Sequence, residues 1–416
     1  MRGAAAGAQG GRQPPGAFTQ FIVKLYSRCN FSCPDCYVYE LRDQGWIEQP
    51  LVMAPAVMDR TARRIADHVR RHRPPEVQVM LHGGEPLLAG PERIDRLAAA
   101  LQSAWEGLDT RLDLAVQTNG ALIDPRFLDV FERRGIQVGV SLDGTAETHD
   151  RRRPYRSGKG TYTDVARGLG LLRGERYRKL YRGLLCVVDL EADPVATYEA
   201  LLEFDPPAVD LLLPHATWEF PPPGAGPGRA PYGTWLSAVF DRWFDAPVRE
   251  VPVRLFDALV DVQLGGASAG ETWGPLGSDS VVVQSDGTIE QNDVLRSAYD
   301  KAVHTGGHVY THDFDQVAGH PGFAAERVGI DGLCAQCRGC PVVQVCGGGL
   351  RAHRYEPRNG FDNPSCYCAD LRTLIDHVEQ RVAESLRRLA DTDRNEATGR
   401  PFLPIMRMSA ERKSRR

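Results

Sequence analysis

The fold is decided by the stretch FIVKLYSRCNFSCPDC, residues 21–36. Its first six residues are mostly apolar and β-branched, which predicts a buried strand that ends near Tyr26. Cys29, Cys33 and Cys36 follow directly, with the spacing C-x3-C-x2-C. Three thiolates within eight residues of one loop can surround a single metal centre. The stretch therefore predicts a metal-binding loop at the carboxyl end of the first strand.

Five more apolar runs follow, and amphipathic helical segments separate them. The runs lie at 77–84, 112–120, 136–144, 183–190 and 209–216, and helices are predicted at about 58–72, 91–107, 125–134, 161–174 and 194–203. Six strand–helix repeats favour parallel strands joined by right-handed crossovers. The predicted fold class is α/β, a partial (β/α)6 TIM-like barrel, with a doubly wound sheet as the alternative. In both folds ligands bind at the carboxyl ends of the strands.

The composition is that of an ordinary globular protein. The 416 residues are 42% hydrophobic and carry a net charge of −4, which favours neither a nucleic-acid nor a membrane surface. No run reaches the roughly 18–20 apolar residues that span a bilayer. The N-terminus lacks the apolar segment of a secretory signal, which predicts a cytoplasmic protein with reduced cysteines. Cys186, alone in the apolar run LLCVVDL, is predicted to be a core residue.

The chain is predicted to divide into six segments. These are a flexible tail (1–17), the barrel (18–220), a linker with bridging helices (221–275), a cysteine-rich domain (276–370), a helix (371–392) and a basic tail (393–416). In the cysteine-rich domain, SVVVQSDGTIEQ (280–291) predicts a hairpin. This domain has few periodic runs and is expected to depend on metal for stability. The helix has one apolar stripe, formed by Leu371, Leu374, Ile375, Val378, Val382, Leu386 and Leu389.

Four motifs at the predicted strand ends together resemble the radical S-adenosylmethionine (SAM) superfamily. The first is the C-x3-C-x2-C loop: a [4Fe–4S] cluster usually takes four cysteines, so three leave one iron open. The others are GGEP (83–86), QTNG (117–120) and SLDG (141–144). The resemblance implies that SAM binds the open iron and that reduction cleaves it to a 5′-deoxyadenosyl radical. The implied SAM-binding residues are Gly83, Gly84, Glu85, Pro86, Asn119, Ser141, Asp143 and Arg153.

Two positions of these motifs leave questions open. Asp35 stands where the family often has an aromatic residue, so packing of that side chain against adenine is not expected, and Tyr37 is the next aromatic residue. Glu85 offers either an acceptor for a ligand or a structural carboxylate.

A second group of cysteines resembles the SPASM domain of radical SAM enzymes that modify peptides and proteins. Its implied ligands for one auxiliary [4Fe–4S] cluster are Cys337, Cys340, Cys346 and Cys368. Leu350 and Asn292 stand where members with two auxiliary clusters have cysteines, so one auxiliary cluster is expected. Cys334 and Cys366 are surplus, and they either ligate a remodelled site or pack. Zinc held by paired cysteines is the alternative.

Asp293 follows the position of a missing cysteine, in EQNDVLR (290–296). By resemblance to SPASM enzymes, this carboxylate would face the substrate and accept a proton. A pocket that raises its pKa would suit it to general-base catalysis. The alternative is a structural aspartate in a turn or salt bridge.

The chain resembles the FxsB-like branch of radical SAM/SPASM maturases in CYVYE, SDGTIEQNDVLRSAYD, THDFDQVAGHPGFA, CPVVQVCGGGLRAHRY and GFDNPSCYCADL. This branch resembles three-residue cyclophane synthases, which join an aromatic side chain to the Cβ of a nearby residue in a ribosomal precursor peptide. The implied partners are that peptide and a flavodoxin- or ferredoxin-type electron donor. The alternatives are a thioether, ether or other crosslink, a decarboxylation, and a non-catalytic iron–sulfur carrier or sensor.

Overall fold

The structure, a computed structural model, describes residues 17–226, 228–266, 272–275, 277 and 279–396, with side chains up to residue 390. The predicted tail at 1–17 lies outside them except for Ala17, as does 397–416 of the predicted tail at 393–416. The chain folds as two compact units. Unit 1 runs to Ser141 and continues through Arg153–Arg182 and Gly277–Val328; unit 2 comprises Leu142–Arg152, Gly183–Leu276 and the chain from Gly329 onward. Both units are discontinuous in sequence, so the predicted segment boundaries stay predictions.

The described residues form the strands and helices that the periodicity predicts. The strands are β1 (Gln20–Tyr26), β2 (Glu76–Gly83), β3 (Arg111–Thr118), β4 (Gln137–Ser141), β5 (Tyr181–Val187), β6 (Val209–Leu212), β7 (Ser280–Val283), β8 (Thr288–Glu290) and β9 (His304–His308). The helices are α1 (Pro55–His72), α2 (Pro91–Ala104), α3 (Pro125–Arg134), α4 (Ala146–Arg152), α5 (Tyr162–Arg173), α6 (Pro194–Leu202), α7 (Pro231–Phe244), α8 (Arg254–Gln263), α9 (Phe314–Ala318), α10 (Pro321–Arg327), α11 (Ala335–Arg338), α12 (Val343–Cys346) and α13 (Cys368–Glu396). All six predicted strands and the five helices between them are confirmed.

Unit 1 is built on a sheet in which β1, β2, β3 and β4 lie side by side in chain order and pair in parallel. This order contains no reversal, so these strands do not form the doubly wound alternative. The side chains of Phe21, Val23 and Leu25 in β1 are fully buried, as alternation along a strand with one core face requires. The sheet thus brings the carboxyl ends of four strands to one edge.

The predicted hairpin at 280–291 is confirmed, and its position is new information. Strands β7 and β8 pair antiparallel, and β8 pairs in turn with β9. Strand β7 also pairs in parallel with β1, from Gln20 opposite Ser280 to Val23 opposite Val283. The hairpin therefore extends the sheet of unit 1, which hydrophobic patterning of either segment alone does not predict.

Unit 2 contains the parallel pair β5 and β6, the bridging helices α7 and α8, and α13. Cys186 is fully buried in β5, which confirms its predicted core position. The Asp370 carboxylate, near the start of α13, accepts hydrogen bonds from the amides of Tyr232 (2.8 Å) and Gly233 (3.0 Å), at the start of α7. These two bonds satisfy two of the free amides at the N-terminus of α7.

The predicted apolar stripe on α13 is buried only at its start. Leu374 and Val378 are fully buried, whereas Leu386 and Leu389 are exposed by 45% and 39%. The helix therefore packs along the first part of its stripe only, and periodicity does not show where the neighbouring elements stop. No helix in the described part of the chain has the length and apolar character needed to cross a membrane.

Candidate functional site

The predicted metal-binding loop folds around one cavity in unit 1. Cys29, Cys33 and Cys36 all line this cavity, whose volume is about 170 Å³. The Cys36 amide donates to the Cys33 carbonyl at 3.2 Å, and the Tyr39 amide donates to the Cys36 carbonyl at 3.1 Å. The other lining residues are Phe31, Ser32, Tyr39, Glu40, Trp46 and Arg156. Three thiols at one cavity fit a [4Fe–4S] cluster with one open iron.

Gly83 and Gly84 allow the end of β2 to approach the start of this loop. The Gly84 amide donates to the Tyr26 carbonyl at 2.8 Å. A Cβ atom at Gly83 would overlap the Tyr26 carbonyl oxygen, and a Cβ atom at Gly84 would overlap both the Arg28 carbonyl oxygen and the Tyr39 hydroxyl. Only glycine fits such a close approach. In this structure, the glycine pair of the GGEP motif therefore serves the packing of the cysteine loop.

Glu85 is fully buried, and both of its carboxylate oxygens accept hydrogen bonds within unit 1. Oε1 accepts from the Leu87 amide at 2.9 Å and from the Thr118 hydroxyl at 2.7 Å, and Oε2 accepts from the Asn119 amide at 2.8 Å. Burial raises the pKa of Glu85 to about 7, although these bonds oppose the shift. The bonds fit the structural role, because they join the end of β2 to the end of β3. Pro86 begins the buried turn that follows.

Asn119 links the end of β3 to the first cysteine. Its Nδ2 donates to Cys29 Sγ at 3.8 Å and to Asn30 Oδ1 at 2.8 Å. The Cys29 carbonyl in turn accepts from Arg156 Nε at 3.1 Å. Donors around a sulfur favour its thiolate form, which is the form that ligates iron.

Burial opposes ionisation of the cysteines when no cation is bound. It raises the pKa of Cys29 to about 12, and the charge of Glu85 adds to the shift. Burial also raises the pKa of Cys36, although the charges of Arg153 and Lys24 oppose it. Iron binding must therefore displace the thiol protons, as is general for thiolate sites. Arg153, a predicted SAM-binding residue, supplies positive charge near the third cysteine.

The aromatic wall of the cavity comes from Tyr39 and Trp46. Their rings meet edge to face, with centroids 4.9 Å apart. Tyr37 instead lies within electrostatic range of Asp293, and burial raises its pKa well above the usual range. Tyr39 was missed by the sequence analysis. The signal was present in CYVYE, but the spacing does not show which tyrosine reaches the cavity.

The two polar residues of the SLDG motif belong to different units. Ser141 ends β4 in unit 1, where its hydroxyl accepts from Gln117 Nε2 at 3.1 Å. Asp143 is buried in unit 2, where its Oδ1 accepts from the Val187 amide at 3.0 Å and its amide donates to His149 Nδ1 at 3.2 Å. These bonds hold the end of β5. SAM binding by either residue stays a prediction.

Asp293 lies in a buried network of charges in unit 1. Its carboxylate contacts Lys24 Nζ from β1 and accepts from Arg296 Nε at 3.2 Å. Arg296 also donates to Asp43 Oδ1 at 2.6 Å and contacts Glu290. None of these five side chains is exposed by more than 4%. Two cations and three carboxylates are thus held together away from solvent.

The expected rise in the pKa of Asp293 is wrong. Burial alone would raise this pKa, but the charges of Lys24 and Arg296 outweigh burial and lower it to about 2. Asp293 is therefore ionised at neutral pH and forms a salt bridge, as in the alternative interpretation. Its role as proton acceptor stays a prediction. Glu290, which the sequence analysis missed, has a pKa raised to about 7 by burial and titrates near neutral pH.

In unit 2, five of the six C-terminal cysteines lie within electrostatic range of one another. Burial and then the neighbouring thiols of Cys334, Cys368 and Cys346 raise the pKa of Cys337 to about 12. Burial and then Cys368 and Cys340 raise the pKa of Cys346 to about 11, although hydrogen bonds from the Gly348 and Gly349 amides oppose the rise. For Cys366 the neighbouring charge is Asp370 instead. This grouping favours Cys368 over Cys366 as the last predicted ligand.

Comparison with known proteins shows similarity to one enzyme superfamily. Residues 23–192 match the sequence model of the Radical SAM superfamily. The chain is 24% identical over 367 residues to the cysteine-type anaerobic sulfatase-maturating enzyme of Clostridium perfringens (strain 13 / Type A), covering 87% of this chain and 96% of that protein. It is 26% identical over 254 residues to the serine-type enzyme of Bacteroides thetaiotaomicron, covering 57% and 60%.

Two solved structures show the same fold. The native anSMEcpe structure with bound AdoMet has a TM-score of 0.76 at 22% identity, covering 88% of this chain and 98% of that chain. Streptococcus suis SuiB bound to precursor peptide SuiA has a TM-score of 0.56 at 15% identity, covering 85% and 76%. The predicted α/β fold class is thus confirmed. The protein is an enzyme that uses a [4Fe–4S] cluster and SAM, so the alternative of a non-catalytic iron–sulfur carrier or sensor is excluded.

Proposed function

We propose that this enzyme modifies a ribosomal precursor peptide by joining an aromatic side chain to the Cβ of a nearby residue. The observation that carries the radical chemistry is the single cavity lined by Cys29, Cys33 and Cys36. A peptide substrate is supported by two of the similar structures, which hold a Cp18Cys peptide and the precursor peptide SuiA. The crosslink itself rests on the resemblance of the chain to cyclophane synthases.

In this proposal the residues around the cavity hold the cofactors in position. Cys29, Cys33 and Cys36 ligate the cluster, and Asn119 donates to the sulfur of Cys29. When bound, the cluster and SAM would supply the carbon radical for removal of one hydrogen atom from the target residue. Tyr39 and Trp46 form the aromatic wall of the cavity and would limit the access of water to the cluster. Such confinement is the main task of the protein, because an unconfined radical is unselective.

An auxiliary [4Fe–4S] cluster would take the electron that ring closure releases. We assign it to Cys337, Cys340, Cys346 and Cys368, which share one neighbourhood in unit 2. Arg372, on α13, lies within electrostatic range of Cys340. A nearby cation of this kind would stabilise the additional negative charge of a reduced cluster.

The first experiment tests the cluster and SAM. Protein reconstituted with iron and sulfide without oxygen, and reduced with dithionite, should release 5′-deoxyadenosine from SAM. Cys33→Ala should abolish this release, and Cys186→Ala, at a core cysteine of the same chain, should retain it. Equal release by the wild type and Cys33→Ala would refute the assignment of the loop.

The second experiment tests the bond. Coexpression with a short peptide that carries an aromatic residue should yield a product lighter by two hydrogens, and fragmentation should place the change between the ring and a neighbouring residue. Replacing the aromatic residue by Leu should abolish product formation. The similarity to cysteine-type and serine-type anaerobic sulfatase-maturating enzymes supports a second candidate, maturation of a sulfatase at a cysteine or serine. Turnover of a Cys- or Ser-containing peptide without aromatic residues would favour that candidate.

A further inference from the structure

The cysteine-rich domain contains six cysteines, whereas the proposed auxiliary cluster requires four. Cys334, Cys337 and Cys340 follow one another at intervals of three, and Pro341 comes next. A run of C-x2-C-x2-C is the spacing with which bacterial ferredoxins place three thiolates on one four-iron cluster. The four proposed ligands begin only at Cys337. The chain therefore contains a second, overlapping set of spacings that begins at Cys334.

The local structure places Cys334 and Cys337 on one side of a short helix. Cys334 precedes the first residue of α11, and its carbonyl accepts the Arg338 amide at 3.0 Å. Residues three apart on a helical turn are neighbours on the same face. The Cys340 amide then donates to the Cys337 carbonyl at 3.1 Å, so the turn continues to the third cysteine.

Cys334 is also packed into the site. Cys334 and Cys337 are exposed by only 6% and 9%, and they form a buried cluster with Leu333, against which Val343 packs. The Cys334 thiol is close enough to that of Cys337 to raise its pKa. Cys334 is also near Cys368, at the start of α13, which is distant in sequence. Cys334 therefore contacts the group from which the cluster would be held.

Cys366, the other surplus cysteine, is different. Its amide donates to the His353 carbonyl at 2.8 Å, and the side-chain charge next to its thiol is that of Asp370. The groups with the largest effects on the pKa values of Cys337, Cys346 and Cys368 do not include Cys366. The chain thus offers a matched control: two extra cysteines, of which one is within the group and one is outside it.

We propose that Cys334 is a reserve ligand of the auxiliary cluster, able to replace Cys337 on the same iron. The proposal rests on the auxiliary cluster proposed above. In the exchange, one Fe–S bond to Cys337 breaks and one to Cys334 forms, while the proton of the Cys334 thiol passes to the departing Cys337 thiolate. No electron is transferred, and the cluster keeps four thiolate ligands.

The test uses the full chain with Cys29, Cys33 and Cys36 changed to Ala, so that all bound iron belongs to unit 2. This parent should bind about four irons and show the electron paramagnetic resonance (EPR) signal of a reduced [4Fe–4S] cluster, since one cluster contains four irons. A parent without such a cluster would refute the auxiliary cluster itself, and the reserve ligand with it. A parent with a cluster allows the reserve ligand to be tested separately.

In that parent, Cys337→Ala should retain the four irons with a shifted EPR signal. Adding Cys334→Ala should abolish the cluster, whereas adding Cys366→Ala should not. Equal iron content in the two double variants would overturn the proposal, as would complete loss in Cys337→Ala alone while that protein remains folded. A further measurement keeps Cys337 intact and so guards against misfolding. In the parent, Cys334→Ala should lose iron to a chelator severalfold faster than Cys366→Ala. Equal rates of iron loss would also overturn the proposal.

Discussion

Removal of the Asp293 carboxylate should destabilise the protein strongly, because it separates a buried ion pair. Asp293→Ala removes the carboxylate that contacts Lys24, whose ammonium group also lies 3.1 Å from Nδ1 of His82 on β2. Leaving one partner of a buried pair uncompensated costs about 3–5 kcal/mol. The pKa gives an independent figure: a shift from 3.8 to about 2 corresponds to about 2 kcal/mol of stability above pH 4. Because this pKa is lowered on folding, that contribution is lost as the pH falls from about 4 to 2.

The matched variant removes both charges. Replacing a buried ion pair by apolar side chains is often neutral or stabilising, and Arg296 retains Asp43 and Glu290 as partners. Lys24→Met/Asp293→Leu should therefore recover most of the stability that Asp293→Ala loses. The assay is urea unfolding of the cluster-free, reduced protein, followed by circular dichroism. A loss of unfolding free energy below about 1 kcal/mol in Asp293→Ala would refute the ion-pair account. A loss in the double variant equal to the sum of the losses in Lys24→Met and Asp293→Leu would also refute it.

The same double variant separates structure from catalysis. If Asp293 accepts the ring proton, the refolded double variant should release 5′-deoxyadenosine and yield no crosslinked peptide. If Asp293 only pairs with cations, the double variant should form product at a rate close to that of the wild type. Product analysis by mass spectrometry therefore decides a role that its low pKa leaves open.

Two further predictions concern other buried positions. Gly84→Ala should destabilise the protein by at least about 1–3 kcal/mol and reduce iron loading, because its Cβ would overlap backbone. Gly170→Ala, in α5 with open space around it, should be neutral or stabilising. Thermal unfolding and iron analysis compare the two variants, and equal effects would contradict the packing argument. Burial lowers the pKa of His353 to about 3, so keeping it neutral costs stability as the pH falls below 6.5. The unfolding free energy of His353→Phe should therefore rise by about 2 kcal/mol relative to that of the wild type as the pH falls from 8 to 5. A difference between the two proteins that does not change with pH would contradict this prediction.

The sequence by itself determined the elements and the class of chemistry. Six apolar runs with helical segments between them are local patterns, and each became the expected strand or helix. The spacing of Cys29, Cys33 and Cys36 is also local, since three ligands in one loop need no distant partner to share a cavity. For this reason both the parallel sheet and the metal-binding loop were predictable.

Only the tertiary structure decided the charge state of Asp293 and the position of the hairpin. The pKa of Asp293 depends on Lys24, more than 250 residues away in the chain, and no spacing in EQNDVLR reveals that partner. The pairing of β7 with β1 likewise joins segments that are distant in sequence. Local propensity and periodicity report the environment within a few residues, whereas desolvation and ion pairing sum over all groups that packing brings together, and that sum exists only in the folded chain.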